Sequence, residues 1–89
     1  MEQPVNGYVI LHEDGKRSLS RSGRWVHHRD RNRDLPGTRR AWVHTREYIE
    51  SGVRQAGAGS LLPACFDPAI EYTAITGEAI TYGEFFDVV

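Results

Sequence analysis

Gly7-Tyr8-Val9-Ile10-Leu11-His12-Glu13-Asp14-Gly15-Lys16 decides the fold. Its first six residues are rich in β-formers, and Asp14-Gly15 at the centre of a two-residue loop supplies the positive φ angles of a tight hairpin. A return strand then runs from about Lys16 to Leu19. Ser20-Arg21-Ser22-Gly23 has turn composition, and Arg24-Trp25-Val26-His27 reads as a third short strand. Residues 1–6 are a loose lead-in.

Outward from that hairpin, His28 to Thr38 alternates charges, has almost no apolar residues and ends at Pro36-Gly37. It reads as an exposed, mobile loop, the kind of segment where binding residues concentrate. Arg39 to His44 returns to a strand, with Ala41 and Val43 on one face and Trp42 and His44 on the other. Thr45 is an N-cap for a helix opening at Arg46, and Glu47 suits the positive end of its dipole. Ile49 and Val53 share a face of that helix, with Tyr48 and Gly52 beside them, while Arg46, Glu50 and Arg54 point outward. Gly57 is a stop, and Ala56 to Ser60 a flexible connector.

Leu61 to Pro68 holds two prolines and little periodicity, so it reads as a packed loop. Ala69 to Thr76 alternates as a strand, Thr76-Gly77-Glu78 turns the chain, and Ala79 to Phe86 is the return strand, with Gly83 at a bulge or edge. The expected architecture is α+β: a small antiparallel sheet of about five strands with one helix packed on one face. At 89 residues the chain is one domain spanning 1–89, with room for a single modest core.

Charge is sharply segregated. Lys16 to Arg54 holds all eleven basic residues, ten of them arginine, against Asp30, Asp34, Glu47 and Glu50, a net +7. Residues 1–15 carry −3 and residues 55–89 carry −5, so a formal −1 conceals two opposed halves. Such a pattern speaks to association with charged partners rather than to fold. The arginine excess is equally consistent with a GC-rich genome. One cysteine, Cys65, excludes an internal disulfide and a paired-cysteine metal site, which points to a reducing, cytoplasmic setting. No apolar run reaches the roughly 18–20 residues of a membrane span, so no membrane partner is expected. Met1 to Asn6 lacks the features of a secretory signal.

The order Tyr8-Val9-Ile10, Asp14-Gly15-Lys16, Leu19-Ser20, Gly23-Arg24-Trp25, Ala41-Trp42-Val43 and Thr45-Arg46-Glu47 resembles small proteins of phages and other mobile elements. Those open with a "YVI…DGK-LS…G-W" hairpin followed by a strand and a T-x-E helix start. The resemblance covers roughly residues 7–53. The arginine-rich loop after Trp25 departs from it, and the acidic C-terminal part lies outside it. It implies a fold sketch and a genomic neighbourhood, and it assigns no catalytic residue.

Chemistry-bearing clusters are few. His27, His28, Asp30, Asn32 and His44 bring a metal nuclease to mind, but adjacent histidines on an extended chain point to opposite faces and would not converge on one ion. No metal and no cofactor are therefore expected. Cys65 sits in an apolar Pro-Ala-Cys-Phe setting suited to a structural thiol. No serine lies in a nucleophile elbow, and no phosphate-cradling glycine loop is present. No catalytic residue is assigned.

Two binding surfaces remain. Arg17 and Arg21, and above all Arg24, Arg29, Arg31, Arg33, Arg39 and Arg40, interleaved with Trp25 and Trp42, would suit phosphates and stacked bases, although both tryptophans are equally suited to anchoring the core. Glu71, Tyr72, Glu78, Tyr82 and Glu84 would suit a basic protein surface, the bland alternative being a solvated sheet face or neutralisation of the arginine half within the fold or in a head-to-tail dimer. The expected role is a non-enzymatic binding protein that inhibits a nucleic-acid-processing machine of the host by occupying a charged surface, in the manner of anti-CRISPR or anti-restriction proteins. Its partner would be a host protein or protein–nucleic-acid complex. The alternative is an Arg/Trp nucleic-acid-binding domain, and a homodimer is compatible with either.

Overall fold

The computed structural model describes residues 5–27, 29–30, 39–52, 54–69, 72–75 and 77–87. Among them an antiparallel sheet runs in the order β3-β2-β1-β6-β7, formed by β1 (Gly7–His12), β2 (Arg17–Leu19), β3 (Trp25–His27), β6 (Ala58–Asp67) and β7 (Tyr72–Ile75). A separate ribbon pairs β4 (Arg29–Asp30) with β5 (Arg39–Arg40), and two short helices follow, α1 (Arg46–Glu50) and α2 (Tyr82–Asp87). The α+β class and the five-stranded antiparallel sheet stand as expected, with a second helix in addition.

The centre of the sheet is the β1–β6 pair, in register from Gly7 opposite Ala64 to Leu11 opposite Ser60, with a bulge before His12 meets Ala58. Successive strand residues point to opposite faces. Ile10 and Leu61, direct partners, therefore lie on one face, in a core with Leu19, Ile49, Ala58 and Phe85. Val9 and Leu62 lie on the other face with Ala64, under Ala41 and Val43. Both faces of the sheet are thus covered, by the helices on one side and by the 41–43 segment on the other. That double burial explains why Tyr8-Val9-Ile10-Leu11 is a continuous apolar run rather than an alternating one.

His44 is where the chain passes between the two sides. Its backbone N–H donates to the Tyr8 carbonyl at 2.8 Å and its carbonyl accepts from the Tyr8 N–H at 2.8 Å, filling the edge of β1 beyond the end of β2. Its imidazole is buried, stacks on Tyr48 with centroids 4.8 Å apart, and donates Nε2–H to the Leu19 carbonyl at 3.0 Å. Gly7 is required by this crossing, because a Cβ there would lie 2.4 Å from Val43 Cγ1 and 2.6 Å from the His44 carbonyl oxygen. Thr45 then caps α1 as expected, its Oγ1 accepting from Tyr48 N–H at 3.1 Å.

Several expectations are corrected. Residues 61–68 are not a packed loop: Leu61 to Asp67 belong to β6, the longest strand described. Pro63 is tolerated at its centre because it faces Tyr8, whose own N–H and carbonyl are turned towards His44. The β1 side of that position needs no proline N–H. Ala79 to Phe86 is not a return strand; only Ile80 pairs, with Leu61, and the chain then forms α2. Thr81 Oγ1 accepts from the Glu84 N–H at 3.0 Å, one half of a Thr-x-x-Glu capping box, so helix wins over strand.

α1 ends at Glu50 rather than at Gly57, with Gly52 at φ 82° in the terminating turn, and Ala58 to Ser60 open β6 instead of forming a connector. Val53, placed on the helix by sequence, lies outside the described residues. The 39–44 strand contracts to Arg39–Arg40 plus the His44 bridge. The 28–38 loop contributes Arg29–Asp30 to the ribbon, and its other residues are outside the described ones.

At the first hairpin the pairs nearest the turn are Leu11 with Ser18, so the connection is longer than two residues. Gly15 still takes positive φ (72°), and Asp14 Oδ1 accepts from the Lys16 and Arg17 N–H groups at 2.8 and 3.2 Å. The lead-in is anchored at Asn6. Its amide donates to the Phe66 carbonyl at 2.9 Å and accepts from the Phe66 N–H at 2.9 Å, extending the β1–β6 ladder with a side chain.

Candidate binding face

The two tryptophans play different parts. Trp25 packs against the helix-side core, its Nε1–H donates to the Ala56 carbonyl at 3.1 Å, and its ring meets His12 edge to face at 4.8 Å. It is an anchor. Trp42 is 42% exposed on the other side of the sheet, because Ala41 and Val43 on either side of it take the inward positions against Val9 and Leu62. Among the described residues Trp42 is one of four exposed large apolar side chains, with Val5, Val26 and Phe86.

Around Trp42 lies an open groove of about 300 Å³ lined by Ser20, Arg21, Val26, Ala41, Phe66 and Thr73. Val26 is another exposed apolar side chain, on the face opposite Trp25. Thr73 fixes the floor by donating Oγ1–H to the Ala41 carbonyl at 3.2 Å. The Arg21 guanidinium stands 5.4 Å over the Trp42 ring. Arg21 and Arg24 are both exposed in the β2–β3 turn, which is closed by Ser20 N–H to the Arg24 carbonyl at 2.8 Å and by Gly23 at φ 86°. The ribbon leading into this segment sets Arg29 opposite Arg40 and Asp30 opposite Arg39.

Of the arginines singled out from sequence, Arg21 lines the groove, Arg24 is exposed in the same turn, Arg17 pairs with Asp14 at 2.8 Å, and Arg29, Arg39 and Arg40 lie on the ribbon. Arg31 and Arg33 lie outside the described residues. Val26 was not among the residues selected from sequence. The signal for Val26 was the alternation with Trp25, which obliges one of the two to face outward if the other is an anchor.

The acidic set does not form the outer face of a hairpin. Tyr72 lies on β7 opposite Asp67, Glu78 is exposed in the turn before Ile80, Glu84 is exposed on α2, and Glu71 lies outside the described residues. Tyr82 is half-buried rather than presented. The Arg54 guanidinium lies 4.6 Å over its ring while donating to the Ala58 carbonyl at 3.2 Å. Burial pushes the Tyr82 phenol above its ordinary value, against the pull of Arg54. Phe86, 48% accessible, lines a second groove of about 280 Å³ with Ile49, Gly52, Arg54, Tyr82 and Gly83.

Among the described residues no three of His, Cys, Asp and Glu gather as metal ligands. His27 is exposed while His44 is buried on the Leu19 carbonyl, its pKa lowered by burial and partly restored by that hydrogen bond. Asp14 is held at about 2, chiefly by the Lys16 N–H and then by Arg17, which is the chemistry of a turn rather than of an acid catalyst. Cys65 sits half-buried on β6 opposite Ala74. Among the described residues no helix is long and apolar enough to cross a membrane. No family model, curated protein or solved structure matches the chain.

Proposed function

We propose that the protein is a non-catalytic binding protein whose contact face is the groove around Trp42. It acts by occupying an anionic surface of its partner. The observation that carries this reading is the half-exposed Trp42 under the Arg21 guanidinium, set in an apolar groove and bordered by Arg24 and the β4–β5 ribbon. Arginine charge steers encounter with an acidic partner, and an aromatic anchor in a groove governs how long the complex lasts.

The resemblance to mobile-element proteins supplies the finer version: an inhibitor of a host nucleic-acid-processing machine, working in the cytoplasm by covering a surface that the machine uses for nucleic acid. A second reading is direct binding of single-stranded nucleic acid. It is favoured by the same arginine-backed indole, whose exposed surface would stack on a base while neighbouring arginines meet phosphates.

Affinity capture from nuclease-treated and untreated host lysate separates the two. The first reading predicts one stoichiometric protein that survives nuclease treatment and is lost with Trp42→Ala. A heterogeneous set that disappears with nuclease would overturn it in favour of the second.

A further inference from the structure

The two exposed aromatic features lie on opposite sides of the sheet and complement each other. On the helix side, Phe85 is 3% exposed and fixed in the core, edge to face with Tyr8 at 5.2 Å, while the next residue, Phe86, stands out into solvent. Exposed Glu84 and Asp87 flank it on the same short helix. Among the described residues neither acid forms an ion pair. Arg46 is engaged by Glu50 at 2.8 Å, and Arg54 by Tyr82 and the Ala58 carbonyl. The result is an apolar knob between two uncompensated carboxylates.

On the opposite side, the groove at Trp42 is an apolar socket with Val26 and Phe66 in its wall and exposed Arg21 and Arg24 beside it. Neither arginine has a carboxylate partner among the described residues. At about 300 Å³ the groove has room for an aromatic side chain.

We propose that knob and socket are the two halves of a head-to-tail contact between copies of this chain. Phe86 of one copy enters the Trp42 groove of the next, and Glu84 and Asp87 face Arg21 and Arg24.

Because the halves lie on opposite sides of the sheet, the contact is heterologous: each added copy leaves a free knob at one end and a free socket at the other. Growth therefore passes two copies and ends only in a ring or an open chain. One aromatic and a few ion pairs bury less than the roughly 1,200–2,000 Å² of a standard stable interface, so the association is weak, concentration-dependent and salt-sensitive. It also covers the face assigned above to the partner, making self-association and partner binding compete. That last consequence rests on the proposed function, whereas the contact itself does not.

Sedimentation velocity on the intact chain tests the contact. At low ionic strength the mass should rise with concentration beyond two copies, and it should return to monomer in about 1 M salt, where charges farther than about 3 Å apart are screened. Phe86→Ser and Trp42→Ser should each remain monomeric alone. Mixed in equal amounts they should form a species that stops at two, since one supplies the socket and the other the knob. Both side chains are half-exposed, so folding should survive, as circular dichroism would show. If either variant unfolds, the neutralised pairs Glu84→Gln with Asp87→Asn and Arg21→Gln with Arg24→Gln provide the same two half-sites. A wild-type chain that stays monomeric, association that stops at two, single variants that associate like the wild type, or a mixture that remains monomeric would each overturn the proposal.

Discussion

Replacing Thr81 by alanine removes the hydroxyl that accepts the Glu84 N–H at 3.0 Å and leaves that donor at the start of α2 to water. Loss of a Ser or Thr cap costs about 0.5–2 kcal/mol, typically about 1. The helix is not released altogether, because Phe85 remains in the core; stripping that ring as well, as in Phe85→Ala, falls in the class that costs about 3–5 kcal/mol. In a domain of this size 1 kcal/mol corresponds to roughly 4–8 °C in Tm. Thr81→Ala should therefore lower the midpoint of thermal unfolding by about that interval, well short of the fall in Phe85→Ala. Thr81→Ser, which keeps the acceptor oxygen, should recover most of the loss. Calorimetry or circular dichroism melts read all three. If residues 79–86 were a strand, the Thr81 hydroxyl would cap nothing and the alanine variant would melt with the wild type. That result, or equal destabilisation by serine, would refute the helical assignment.

Gly57→Ala should destabilise by about 1–3 kcal/mol in urea unfolding, because φ is 92° there and the new Cβ would lie 2.6 Å from His12 Nε2. Gly15→Ala, also at positive φ but with nothing within 4 Å of its Cβ, should cost less. Acidification should destabilise the fold through His44. Its folded pKa is below the unfolded value of about 6.5, so the unfolded chain binds the proton first, and stability falls as pH drops through about 6.5 before levelling below the folded pKa. Unfolding curves at closely spaced pH values would show it, and stability rising on acidification would contradict it. Asp14 acts in a lower window: its carboxylate supports the first turn above about 3.8, and that support is lost as pH falls towards about 2. Acrylamide should quench Trp42 far more than Trp25, a difference readable by comparing Trp42→Phe with Trp25→Phe.

The first hairpin, the third strand and the Thr45 cap were legible in sequence because each rests on local chemistry: β-formers, a glycine with positive φ and a hydroxyl at a helix start. β6 was hidden by Pro63, whose acceptability depends on Tyr8 turning its backbone to His44, a contact 36 residues away in the chain. α2 was legible in principle through Thr81-x-x-Glu84, but the aromatic alternation of Tyr82 with Ile80 spoke for a strand. The face proposed for binding was only partly in view from sequence. Arginine density drew attention to the region, while which of Trp25 and Trp42 is exposed was settled only when Ala41 and Val43 took the inward places over Val9 and Leu62. The acidic half misled, because its expected hairpin proved to be a strand and a helix with Tyr82 held under Arg54.

Trp42 is the proposed contact anchor. The direct measurement is quantitative capture from nuclease-treated host lysate on columns of wild-type chain, Trp42→Ala and Phe86→Ala, with the retained partner measured by isotope-labelled mass spectrometry. A central aromatic anchor is worth about 2 kcal/mol or more, and 1.4 kcal/mol is a factor of 10. Trp42→Ala should therefore retain at least about ten-fold less partner, while Phe86→Ala retains as much as the wild type or more. Undiminished capture by Trp42→Ala together with loss in Phe86→Ala would place the contact on the helix side and contradict the account.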